Sequence, residues 1–138
     1  MKALRITALA VVIGLLTLSS TLFASTPDTE KKKVEKILIN FLSALECDNR
    51  GVVESAILNS MELKVHFPEY DFRKVEYKLN WLAANGVTPL IKYRAQLASL
   101  YFSNHYLFGD ISFQDKENPE KIFSAIIDKL ENIHLALN

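Results

Sequence analysis

The 138-residue chain holds a single cysteine, Cys47, so no disulfide can close within it and its fold rests on hydrophobic packing. Glycine and proline are scarce, four of each. Nearly all of them fall between periodic apolar segments, where they punctuate the chain. Neither charge dominates, with 16 basic and 16 acidic residues. A nucleic-acid binder needs a basic surplus, so that class is excluded. Also missing are a Gly-rich phosphate loop, His-Glu-x-x-His, Cys-x-x-Cys and Gly-x-Ser-x-Gly. His66, His105 and His134 lie far apart, and none has a His, Asp or Glu four residues on. A metal set normally shows at least one such pair. The expectation is a protein without catalytic residues, cofactor or metal.

What is present begins at the amino terminus. Lys2 and Arg5 precede an uncharged apolar run from Ile6 to Leu18, followed by Ser19, Ser20 and Thr21, then Leu22-Phe23-Ala24. Positive start, apolar middle and a small residue after a polar break is the order of a secretory signal peptide. Residues 1–24 are therefore expected to be cleaved after Ala24, with Ser25 as a neighbouring alternative. The competing reading is an uncleaved membrane anchor, because Ile6 to Phe23 is about 18 residues, the lower edge of a span. No Cys follows the run, which argues against a lipoprotein. Cleavage removes Lys2 and Arg5 and leaves 14 basic against 16 acidic residues, a net charge of −2. The product is expected in the periplasm or outside the cell, without stable membrane insertion. Residues 25–33, with the run Lys31-Lys32-Lys33, read as a flexible lead-in. Residues 34–138 read as one helical domain.

Five helices follow from the periodicity. Val34, Ile37, Leu38, Phe41, Leu42 and Leu45 keep the i, i+3, i+4, i+7 spacing, so the first runs from about Thr29 to Glu46. Cys47, just beyond it, is expected to be partly buried and inert. Asp48 or Asn49 caps a second helix over 50–66, which must stop before Pro68. Asp71 is the expected cap of a third helix, about Phe72 to Ala84, closed at Asn85-Gly86 by a left-handed glycine. Thr88-Pro89 opens a fourth, to about Tyr106. After a polar loop from Gly109 to Glu117, Asn118-Pro119 opens the last. That helix carries Ile122, Phe123, Ile126, Ile127, Leu130, Ile133 and Leu137.

The helices repeat. The second is apolar around most of its circumference and keeps one narrow polar stripe, Ser55, Asn59, Glu62 and His66. The fourth keeps another, Lys92, Gln96, Ser99 and Ser103, each 37 residues on (92 − 55 = 37). Leu38, Leu42 and Leu45 map to Val75, Leu79 and Leu82 by the same offset. An offset of 39 instead aligns Ala56 with Ala95 and matches the helix starts better. A two-residue slip turns a helix by about 200°, so the offsets disagree on equivalent faces. The offset of 37 is preferred.

Paired helices at this period are the mark of an α-solenoid. The segment Asp48-Asn49-Arg50-Gly51-Val52-Val53-Glu54-Ser55-Ala56 resembles the turn and second-helix start of a HEAT-type repeat, and the likeness covers roughly residues 34–107. The span Val53 to Phe102, with Leu63-Lys64, Phe67-Pro68 and Tyr93-Arg94-Ala95, also looks like small exported helical proteins with no assigned activity. The resemblance implies an all-α fold: a short HEAT-like solenoid of two helix pairs plus a C-terminal capping helix. An irregular five-helix bundle is the alternative. It also implies that the second helix of each pair lines a concave binding surface, so the two polar stripes become the candidate contact face for a protein or peptide.

The aromatics offer a second possibility. Tyr93, Tyr101, Phe102, Tyr106 and Phe108 gather in and after the fourth helix. Tyr101, Phe102 and Tyr106 are expected to pack inward against the last helix. Trp81 is expected partly at the surface and is the best single contact candidate, since Trp and Tyr anchor interfaces. The function expected is a non-enzymatic interaction or scaffold module. The alternative is a small-ligand binder, or minor enzyme, using Trp81 and the Tyr-rich region.

Overall fold

A computed structural model describes residues 27–113 and 118–136. The expected signal peptide and its cleavage point lie outside the described residues, as does Leu137. Among the described residues the chain is all-helical, with no strand. Its elements are α1 (Pro27–Leu45), α2 (Arg50–His66), α3 (Arg73–Asn85), α4 (Pro89–Ser103), a 3₁₀ turn (His105–Phe108) and α5 (Pro119–Ala136). None of these helices is long and apolar enough to cross a membrane. Contacts divide the chain into two units, residues 1–33 and 34–138.

Residues 27–33, expected as a flexible lead-in, are helical and form the start of α1. Asp28 and Glu30 lie in the first turn, where negative charge suits the helix dipole. Lys32 pairs with Asp28 at 3.1 Å, one turn back, and both side chains are solvated.

The helix punctuation agrees with the sequence at most joints. Asn49 caps α2 by accepting from the amides of Gly51 and Val52, at 3.0 and 3.3 Å. Thr88 Oγ1 accepts from the Ile91 amide at 3.1 Å, and Pro89 fills the first helical position of α4. Between α2 and α3 the Lys64 ammonium donates to the Pro68 carbonyl at 2.8 Å and sits 4.8 Å from the Phe72 ring centre.

Three joints differ from expectation. The N-cap of α3 is Phe72, whose ring is buried and which offers no side-chain acceptor. Asp71, one residue earlier, still accepts from the Arg73 amide at 3.0 Å. Gly86 is not left-handed, with φ −54° and ψ 146°. It is glycine because the chain is crowded there: an added Cβ would lie 2.7 Å from the Leu82 carbonyl oxygen and 2.9 Å from Ile91 Cγ2. Finally, α4 ends at Ser103, three residues before Tyr106, and tightens into the 3₁₀ turn. That turn carries Phe108 inward, 1 % exposed, and leaves Tyr106 outside, 74 % exposed.

The core of the 34–138 unit is built around α4, which packs on α3 most extensively, then on α2, and also on α5. Ile91, Ala95 and Ala98 are fully buried on it. Ile57 and Met61 come from α2, Val75 and Leu79 from α3, and Ile122, Phe123 and Ile126 from α5. From α1, Leu45 is buried while Leu38, Phe41 and Leu42 are only half covered. The helices α2 and α4 differ in length. Their N-caps are 88 − 49 = 39 apart and their last residues 103 − 66 = 37 apart, because α4 is two residues shorter.

Candidate functional site

The two polar stripes do not share one face. On α2, Ser55 and Asn59 border a shallow cleft with Phe41 and Ala44 of α1, and Glu62 and His66 border another with Ile37 and Phe41. His66 Nε2 is 3.9 Å from Glu62 Oε1, with an exposed imidazole, so the pair acts only when the ring is protonated. On α4, Ser99 is buried, and its hydroxyl donates to Asn80 Oδ1 at 2.6 Å. The Ser103 hydroxyl donates to Glu76 Oε1 at 2.7 Å. Both serines therefore serve the seam between α3 and α4. Only Lys92 and Gln96 of that stripe are open to solvent without a role in the seam. Ser99 and Ser103 can lie in that seam because a small hydroxyl side chain lets two helices approach while keeping its hydrogen bond.

The aromatic residues divide in two. Tyr101 is 2 % exposed and sits at the centre of a closed cluster. Its ring stacks on Phe108 at 5.7 Å, and meets Phe102 and Phe113 edge-on at 6.1 and 5.8 Å. Phe72 extends the cluster, 5.6 Å from Phe102. Burial pushes the Tyr101 phenol up to about 12, since the charged form loses its water. This cluster belongs to the core.

The second group stays open. Tyr77 and Trp81, one turn apart on α3, are 74 % and 46 % exposed. With Leu42 of α1 they line an open groove of about 710 Å³, whose charged rim is Glu46, Asp71, Arg73, Lys74 and Lys78. The carboxylate of Asp71 is gripped by the Arg73 guanidinium, at 2.6 Å from Nη2 and 2.9 Å from Nε. Those hydrogen bonds hold Asp71 well below the usual carboxylate range and raise Arg73. Glu46 reaches across from the end of α1 to Lys78 at 3.2 Å. The same ammonium lies 4.4 Å from the Trp81 ring centre, a cation–π contact. Lys74 is exposed and has no ion pair or hydrogen bond among the described residues, though its charge helps depress Asp71 through space.

Glu46, Lys78 and Trp81 also border a second, smaller pocket of about 200 Å³, which reaches Cys47, Val53 and Gly86. Cys47 is exposed, against the expectation of partial burial. The reason is local: α1 ends at Leu45, so Cys47 lies in the connector, where its sulfur accepts from the Asn49 amide at 3.4 Å.

Sequence reasoning misses Arg94. This residue is 9 % exposed, yet its guanidinium ties three helices together. Nη1 donates to Glu54 of α2 at 2.8 Å, Nη2 donates to Glu120 of α5, and the group lies 5.4 Å from the Phe123 ring centre. Nε is buried without a partner. A signal exists. Arg94 sits two residues from both Lys92 and Gln96, about 200° from each around the helix. Its neighbours at i±3 and i±4 are Leu90, Ile91, Leu97 and Ala98, so a charge there needs a partner from another element.

Among the described residues no three His, Cys, Asp or Glu side chains gather as a metal-ligand group. No protein-family model matches the chain, and neither a curated protein nor a solved structure matches it.

Proposed function

We propose that the protein is an exported, non-enzymatic binding module whose contact surface centres on Tyr77 and Trp81 of α3, rather than on the stripes of α2 and α4. Lys2, Arg5, the apolar run after them and Ala24 support export. The α1–α2 and α3–α4 pairs are, in this reading, two units of a short HEAT-like stack, with α5 as its cap. At an offset of 37, buried Ile57, Leu58, Ser60 and Met61 fall on buried Arg94, Ala95, Leu97 and Ala98, whereas buried Val53 and Ala56 fall on exposed Leu90 and Tyr93, so the support comes from the later turns of the two helices.

One observation carries the binding role: a Tyr and a Trp left exposed on successive turns, lining a groove of 710 Å³. Large aromatics bury more apolar area than any other side chains, so leaving both in water forgoes stability that a partner can recover. Their flanking by charges fits the polar rim of an interface. A small ligand is the second reading, favoured by the groove's volume, which falls in the usual range for ligand sites.

Site-specific photo-crosslinking in intact cells tests the reading. A crosslinker at Tyr77 is expected to capture one recurrent protein, and the adduct is expected to vanish in Trp81→Ala. Adducts from Asn59 and Gln96 with none from Tyr77 would return the contact face to the two stripes.

A further inference from the structure

Building on the groove reading, we infer that the groove takes a protein segment in which a carboxylate side chain neighbours an apolar one. The charges decide the sign. Three cations and two anions rim the groove, an excess of 3 − 2 = +1. Asp71 holds Arg73, and Glu46 holds Lys78. The ammonium left over belongs to Lys74, one turn ahead of Lys78 on the same face of α3.

The Trp81 face reinforces this. Lys78 already occupies it, 4.4 Å from the ring centre. An incoming cation would have to displace an internal ammonium that Glu46 also holds. A carboxylate meets no such competition: it gains Lys74 outright and can share Lys78 with Glu46. The apolar half of the segment finds Leu42 and the exposed ring of Tyr77.

Length argues for a segment of chain. From Arg73 to Trp81 is eight steps along α3, roughly 12 Å of helix. An extended peptide covers that in about four residues. A polyanion such as a nucleic acid needs several unpaired cations in a row, and this rim has one.

Trp81 is the only tryptophan in the chain, so its emission reports groove occupancy directly. The probes are end-blocked tetrapeptides, Leu-Glu-Leu-Glu, Leu-Gln-Leu-Gln and Leu-Lys-Leu-Lys, with phenylacetate as a small aromatic acid, titrated into the purified chain. The acidic peptide is expected to shift the emission saturably and to bind at least about threefold more tightly than the neutral one, the size of a solvated ion pair. Lys74→Glu is expected to erase that preference, and Glu46→Gln to strengthen it by freeing Lys78. Circular dichroism and the unliganded emission establish that both variants are folded. Equal or tighter binding of the neutral or basic peptide overturns the inference, as does a preference unmoved by Lys74→Glu. Phenylacetate matching the peptide would replace the segment with a small acid. If no peptide moves the emission, the segment chemistry is wrong. The crosslink from Tyr77 then decides separately whether the groove binds anything.

Discussion

Around Tyr101 every ring is covered: Phe102, Phe108 and Phe113 surround it, and Phe72 closes the far side. On α3 the outward rings of Tyr77 and Trp81 stay exposed, with Lys78 lying over the indole. Both clusters are aromatic, and each starts from a regular α-helix, Tyr101 and Phe102 on α4 and Tyr77 and Trp81 on α3. They differ in the segment of chain that lies next to each. After α4 a 3₁₀ turn folds Phe108 back over Tyr101, and the segment to Phe113 adds another ring. Beside α3, the end of α1 contributes half-covered Leu42 and solvated Glu46 and closes nothing. The first cluster is therefore expected to carry stability and the second to carry contact.

That contrast can be broken by substitution. Phe108→Ala should have the largest effect, roughly 3–5 kcal/mol in denaturant unfolding, because a fully buried ring leaves a cavity. A cost below about 1 kcal/mol would mean the closed cluster does not hold the fold. Next comes the Tyr101 phenol. Its folded-state pKa of about 12 lies above the free value of about 10. The unfolded chain therefore loses that proton first, so stability is full below pH 10 and falls as pH rises through 12. The contribution is roughly 2–3 kcal/mol. Unfolding midpoints at pH 9 and 11.5 should diverge more in the wild type than in Tyr101→Phe; equal losses would remove Tyr101 as the cause. Trp81→Ala should have the smallest effect, within about 1 kcal/mol, since it removes a half-exposed ring and one cation–π contact. A melt lowered as far as that of Phe108→Ala would make Trp81 a core residue and end the distinction.

Arg94 marks a third kind of region, where charge does the joining. Glu54 and Glu120 come from helices on either side of it in sequence, so a local pattern can flag the buried charge but not name its partners. Removing a partly buried charge's partners is costly because the remaining charge keeps its desolvation. The arrangement fixes which face of α4 meets α2 and α5, and leaves Lys92 and Gln96 for solvent.

The helices themselves are legible in the sequence because their signals are local. Apolar spacing, Asn49, Thr88-Pro89 and the stop before Pro68 each act within one or two turns. The proposed contact face is not, because a polar stripe looks the same whether it meets water or a neighbouring helix. Ser99 and Ser103 have the spacing of a surface stripe and belong to a helix seam. Glu62 and His66 border α1. Trp81 is legible as a contact candidate, but the groove beside it is not, since its lining comes from two helices about 30 residues apart in sequence. Cys47 and Tyr106 depart from expectation for a related reason: each lies two or three residues past a helix end that periodicity places too late.

By itself, then, the sequence determined the helices of the described residues and the breaks between them, both set by spacing along one stretch of backbone. Tertiary structure alone decided which aromatics were sealed, which charges were paired and where a groove stayed open. Those depend on which helices approach each other, and side chains dozens of residues apart settle that together.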